Sequence, residues 1–200
     1  MADTFAWEGA FSPVKVFGNL YFVGTVPAST HILDTGDGLI MFDSGYQHSL
    51  YLVIHNMHLM GLDPRNLKYI IHTHGHIDHF GATRALVELS GAKTVIGRAD
   101  KEYADGSLDL SYAKELGMEF KETFVPDILL DDGDEILLGN ARIKAVATPG
   151  HTPRCHVLFL RCYRRMRDLS CRTSRGVGYQ YDVQGISRQI RTSVFVKRGF

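Results

Sequence analysis

Short apolar runs broken by turn residues set the pattern of the first forty residues. Val14–Phe17, Leu20–Val23, His31–Leu33 and Leu39–Phe42 are separated by Gly18-Asn19, Gly24 and Gly36-Asp37-Gly38, the signature of a strand meander. The period then lengthens. After Asp43-Ser44-Gly45, apolar Leu50, Ile54, Met57 and Leu62 recur at helical spacing and predict a helix over Gln47–Met60, closed by Asp63-Pro64. Leu67–Ile71 is a continuous apolar run of strand length, and a second helical stretch over Gly81–Leu89 leads through Gly91 to a strand at Thr94–Ile96. From Arg98 to Glu122 the chain is polar and reads as helical in pieces. Further strands are expected at Ile128–Leu130, Glu135–Leu138 and Ile143–Ala147, with turns at Asp132-Gly133 and Gly139-Asn140. Thr148-Pro149-Gly150-His151 breaks the last of these, and Cys155–Leu160 forms one more. Beyond Leu160 the period fades, with Val194–Val196 as the one short strand expected there.

Composition narrows the class. A chain of 200 residues with 44% hydrophobic and 22% charged residues suits one ordinary globular domain. No stretch approaches the ~20 apolar residues of a membrane helix, so no membrane partner is expected. Met1–Phe11 lacks the basic and apolar regions of a secretory signal, which points to a cytoplasmic or already processed chain, the cytoplasmic reading being preferred. Cys155, Cys162 and Cys171 form no C-x-x-C pair and read as free thiols.

Charge divides the chain unevenly. Residues 1–160 carry 12 Lys+Arg against 20 Asp+Glu, a balance of −8, whereas residues 161–200 carry 10 against 2, a balance of +8. Nine of those ten tail cations are Arg. The expected organisation is therefore a domain over 1–160 followed by an atypical, Arg-rich and irregular tail over 161–200.

Four histidines, His72, His74, His76 and His79, fall within eight residues directly after an apolar strand, with Asp78 among them. Imidazole nitrogen and carboxylate oxygen suit zinc at about 2.0–2.2 Å, and a catalytic site needs three protein ligands with one position open. On a tight loop His74 and His76 can converge on one cation while Asp78 and His79 face a neighbouring position. A histidine-rich surface loop is the bland alternative; it would require neither the small Gly75 between ligands nor Gly81 at the start of a helix. His72, at the end of a buried strand, reads as a core residue. His31, His48, His55 and His58 show no ligand spacing and read as surface.

The run Ile71-His72-Thr73-His74-Gly75-His76-Ile77-Asp78-His79-Phe80-Gly81 resembles the H-x-H-x-D-H signature of the metallo-β-lactamase superfamily, and Thr148-Pro149-Gly150-His151-Thr152-Pro153 resembles its second motif. The resemblance covers about residues 12–160. It implies an α+β fold, the four-layer αββα metallo-β-lactamase sandwich, with the C-terminal half incomplete. It implies a first zinc on His74, His76 and His151, and a second on Asp78 and His79. Asp43, in Phe42-Asp43-Ser44-Gly45, matches the family's buried aspartate behind the histidine loop. A narrower similarity, through Val23-Gly24-Thr25 and Gly61-Leu62-Asp63-Pro64, is to the third subclass of metallo-β-lactamases.

The implied activity is hydrolysis of a small ester, lactone, thioester or β-lactam by metal-bound hydroxide, with Asp78 as the catalytic residue orienting it. The partner is then a small-molecule substrate. The tail departs from the family: no histidine follows His156, and Asp168 and Asp182 are its only carboxylates. One tightly bound Zn²⁺ and a weak or absent second are therefore expected. Two other readings stay open: a truncated metal-binding product with little or no catalysis, and a phosphodiesterase or ribonuclease of the same fold. Nucleic acid is the less expected partner, since clustered Arg in the tail is its only support.

Overall fold

The computed structural model describes residues 10–108, 117, 121–148, 156–164, 167–173 and 194–198. The meander forms as the turns dictate. β1 (Val14–Phe17), β2 (Leu20–Phe22), β3 (His31–Asp34) and β4 (Leu39–Phe42) pair antiparallel in sequence order. The sheet then changes from antiparallel to parallel pairing: β5 (Leu67–Ile71), β6 (Lys93–Gly97) and β7 (Ile128–Leu130) add in parallel to β4, giving seven strands in the order β1 to β7. A parallel pair needs a crossover. The first crossover carries α1 (Leu50–Leu59), and the second carries α2 (Ile77–Phe80) and α3 (Thr83–Ser90).

A second, antiparallel sheet has the order β12-β11-β10-β9-β8. It comprises β8 (Glu135–Leu138), β9 (Ala141–Ala147), β10 (His156–Arg164), β11 (Arg167–Thr173) and β12 (Val194–Arg198). The irregular tail expected after residue 160 is therefore not what is found at 161–164 and 167–173, and the short strand expected at Val194–Val196 lies within 194–198. Those segments continue backbone pairing outward from β9, with Leu160 opposite Cys171 and Cys171 opposite Val196. Unpaired strand edges recruit further strands through main-chain groups, and side-chain periodicity is a poor guide to such pairing.

Strand alternation sorts the first sheet's side chains into two cores. Ile40, Phe42, Ile71 and Val95 face the second sheet and pack with Ile136, Ile143, Ala145 and Leu158. Leu39, Met41 and Ile70 face the other way, against Val53 and Met57 of α1 and Leu86 of α3. Phe42, Met41 and Leu86 are fully buried, and each such side chain contributes about 1.5–3 kcal/mol. The described layers are thus helices, sheet and sheet. Among the described residues no helix covers the outer face of the second sheet, where Leu137 is 59% exposed beside exposed Arg142 and Lys144.

Helix boundaries shift from the expected ones. The predicted Gln47–Met60 begins as a 3-10 turn over Gln47–Ser49 before α1, and Gly81–Leu89 becomes Thr83–Ser90, ended by left-handed Gly91 at φ 70. No helix is long and apolar enough to cross a membrane among the described residues.

Because β4, β5 and β6 run parallel, the loops after them leave the same edge of the sheet. Asp43, the histidines after Ile71, and Arg98–Asp100 meet there by topology alone. β9 delivers its end to this edge as well. Ala147 N donates to Asp132 Oδ1 at 2.9 Å, and Asp131, the residue after β7, pairs with Arg98. The described chain after β9, at Thr148, thus ends at the edge that bears the histidine loop.

Candidate metal centre

Asp43 is the keystone of that edge. It is 1% exposed, and it is the one non-glycine at positive φ among the described residues, at φ 54. A non-glycine held in this region at a functional site is strain imposed by its surroundings, and the surroundings here are the histidine loop. Asp43 Oδ1 accepts from Thr73 N at 2.8 Å, and Oδ2 accepts from Thr73 Oγ1 at 2.9 Å and pairs with His79 Nδ1 at 2.8 Å. Burial alone would raise this carboxyl, but His79 beside it, together with His72 and His74, outweighs burial and holds it down at about 2. Burial likewise pulls the His79 ring down, yet Asp43 first and Asp78 second reverse this and hold it above the usual histidine range.

With Nδ1 committed to Asp43, His79 turns Nε2 outward, 3.2 Å from Asp78 Oδ2. Burial opposes ionisation of Asp78, but its hydrogen bond with His79 and the charge on that ring leave its pKa lowered. The other pair forms on the same loop. His74 Nε2 lies 3.1 Å from His76 Nδ1, and the His74 ring sits 3.9 Å from that of His79 between centroids. Burial, then His79, pushes His74 down to about 2, so it is neutral at ordinary pH. Neutral imidazole and ionised carboxylate are the forms that bind metals.

Two donors held on one tetrahedral zinc by bonds of about 2.0–2.1 Å lie about 3.3 Å apart. The His74–His76 spacing of 3.1 Å and the Asp78–His79 spacing of 3.2 Å both fit that requirement. Among the described residues no set of three His, Cys, Asp or Glu donors converges on one point. His151, expected as the third ligand beside His74 and His76, lies outside the described residues.

Other expectations resolve plainly. His72 is buried and belongs to the frame behind the loop: its Nδ1 is 3.3 Å from His79 O and its Nε2 is 3.2 Å from Thr83 Oγ1. His48, His55 and His58 are exposed, as expected. His31 is not; it is 1% exposed, edge-on to Phe22 at 5.2 Å, because β3 lies between β2 and β4 with His31 opposite Phe42. Three supporting residues escaped sequence reading. Thr73 bridges Asp43 to the rings of His74 and His79, with Oγ1 3.1 Å and 3.3 Å from their Nδ1 atoms. Ser44 N donates to His79 O at 2.7 Å, and Asp100 reaches Gly75 N. Thr73 had a signal, a hydroxyl between two loop histidines; the others act through contacts far apart in sequence.

Two sheets lie face to face, with histidine and aspartate side chains gathered on loops at one strand edge. The sequence matches the metallo-beta-lactamase superfamily over residues 23–165, more than half of the chain, and the protein belongs to that superfamily. It is 37% identical over 89 residues to a probable metallo-hydrolase of Burkholderia pseudomallei, covering 44% of this chain and 30% of that one. It is 32% identical over 96 residues to a hydroxyacylglutathione hydrolase of Haemophilus influenzae, covering 48% and 44%. The fold resembles a subclass B3 metallo-beta-lactamase of Bradyrhizobium japonicum, with TM-score 0.76, 28% identity and coverage of 84% and 64%. It also resembles a class B3 di-zinc metallo-beta-lactamase from an Alaskan soil metagenome, with TM-score 0.75, 26% identity and coverage of 87% and 66%. The chain spans less than half the length of these two curated relatives.

Proposed function

We propose that the protein is a zinc-dependent hydrolase of a small ester, lactone, thioester or β-lactam. The observation that carries this reading is the paired arrangement at one sheet edge: His74 with His76, and Asp78 with His79, each at ligand spacing and braced by a strained, buried Asp43. Names among the relatives, hydroxyacylglutathione hydrolase and metallo-beta-lactamase, support hydrolysis at an acyl carbon and leave the leaving group open. In this reading His74, His76 and His151 hold the tight zinc. Asp78 and His79 alone hold a second weakly, since a site with two protein ligands lacks the usual three. The di-zinc neighbour supports zinc as the metal.

When bound, zinc supplies Lewis acidity that polarises a carbonyl and lowers the pKa of water from about 15.7 towards 7. The chain's own residues do the rest. Asp78 is half-buried and ionised, and its carboxylate, turned through Oδ2 to His79 Nε2, would share a metal with that ring and orient water beside it. His79 cannot swing away because Asp43 fixes Nδ1, and Thr73 holds Asp43 in turn. The test is turnover of lactone, thioester and β-lactam probes by the zinc-loaded chain, with and without chelator. Hydrolysis of one class that stops on chelation and in Asp78→Ala supports the reading; loaded protein inert to all three, or activity indifferent to both treatments, overturns it.

A further inference from the structure

We propose that Asp100 is a positioning residue for the metal-binding histidine pair, acting through the backbone of Gly75. The inference rests on the reading of His74 and His76 as ligands. Asp100 follows β6 and is 1% exposed, at the N-terminal boundary of the single helical turn α4 (Lys101–Ala104). An aspartate there ordinarily caps its own helix. This one makes no side-chain cap bond, and Oδ2 instead accepts from Gly75 N at 3.1 Å, across 25 positions of sequence.

The same turn presses on the same peptide a second time. Tyr103, 7% exposed, lies so close that a Cβ on Gly75 would stand 2.7 Å from its Cβ and Cδ2. Gly75 is therefore required by a close approach rather than by its own backbone angles. Its two neighbours present different ring nitrogens to one point, Nε2 of His74 and Nδ1 of His76. Their separation depends on the orientation of the peptide between them. Coordination tolerates errors of only about 0.2 Å, so a bond and a packed ring on that peptide set how well the pair holds a metal. Asp100 accepts from the loop backbone at Gly75 as Asp43 does at Thr73.

The experiment uses the full chain as the parent and as Asp100→Ala, Asp100→Asn and His76→Ala. Zinc affinity is read by chelator competition, ligand geometry by the visible spectrum of the cobalt(II)-substituted protein, and the loop itself by exchange of the Gly75 amide in metal-free protein. Asp100→Ala is expected to weaken zinc binding about 10–100-fold, to alter the cobalt spectrum and to speed Gly75 exchange. Asp100→Asn keeps an oxygen that accepts from Gly75 and should stay close to the parent in all three. Parent-like zinc affinity in Asp100→Ala, or Asp100→Asn as weak as Asp100→Ala, overturns the proposal. If Asp100→Ala does not fold, Tyr103→Ala loosens the same peptide, and its unchanged zinc affinity would overturn the proposal equally. A parent that binds zinc no better than His76→Ala sinks the metal reading itself. Gly75 exchange unmoved by Asp100→Ala, beside a parent that does bind zinc, sinks only the clamp.

Discussion

Replacing Asp43 by alanine probes the frame of the site without touching a ligand. The substitution removes three contacts at once: the acceptor for Thr73 N at 2.8 Å, the acceptor for Thr73 Oγ1 at 2.9 Å and the partner of His79 Nδ1 at 2.8 Å. Breaking one partner out of a buried charge pair costs about 3–5 kcal/mol. Alanine at φ 54 adds about 1–2 kcal/mol, because its Cβ meets the following carbonyl where aspartate and asparagine are better tolerated. The sum, about 4–7 kcal/mol, rivals the whole stability of an ordinary domain. Asp43→Asn keeps the bond from Thr73 N and the tolerated backbone but loses the charge facing His79, so its loss should be distinctly smaller, about 1–3 kcal/mol. Urea unfolding of the metal-free proteins, followed by circular dichroism with slopes compared for constancy, measures both. An Asp43→Ala variant within about 1 kcal/mol of the parent, the error of such comparisons at this size, would refute the claim that the histidine loop is held from behind.

Glycine positions supply a steric contrast. In Gly81→Ala the new Cβ would meet Ile77 O at 2.6 Å and Gln47 N at 2.8 Å, both backbone atoms, so thermal unfolding should show a loss above the 1–3 kcal/mol typical of overpacking. Gly36→Ala meets nothing within 4 Å and carries only the strain of φ 83, about 1–2 kcal/mol; equal losses at the two sites would contradict the packing at Gly81. Acid sensitivity follows from His31. Burial, only partly opposed by Asp43, lowers its pKa from 6.5 to about 3. The unfolded chain therefore binds a proton that the folded chain does not between those values, and stability falls as pH drops from about 6.5 towards 3, by up to ~1.4 kcal/mol per unit. Denaturant midpoints from pH 7 to pH 5 should decline, and the decline should shrink in His31→Phe; an unchanged slope in that variant would show the effect lies elsewhere.

The strands at Leu39–Phe42, Leu67–Ile71, Ile128–Leu130 and Glu135–Leu138 were legible residue for residue because turn-formers bracket each apolar run. The histidine loop was less so. Ile77 and Phe80, both buried, fold Ile77–Phe80 into a helical turn of its own, and Gly81 with Ala82 separates it from α3, where a single helix from Gly81 had been expected. His31 was misread as surface because one histidine in a strand carries no sign of whether its face is covered; its neighbours β2 and β4 decide that. The strand at 167–173 was obscured by its polar composition, since pairing at a sheet edge is a backbone property, whereas the apolar run Val194–Val196 was legible within 194–198. Asp43 was legible through its motif. Asp100 was not, because its partner Gly75 is brought to it only by the parallel order of β5 and β6.

The central claim, that the histidine loop is a metal centre built for hydrolysis, is tested most directly by calorimetric titration of zinc into the metal-free chain and into His76→Ala. The account predicts about one tightly held zinc per chain in the parent, with a second equivalent weak or undetected, and loss of the tight equivalent in the variant. Two tightly held zincs would show that the tail supplies a ligand, with Asp168 and Asp182 the first to examine. Zinc binding that is absent from the parent, or equally tight in His76→Ala, would contradict the account.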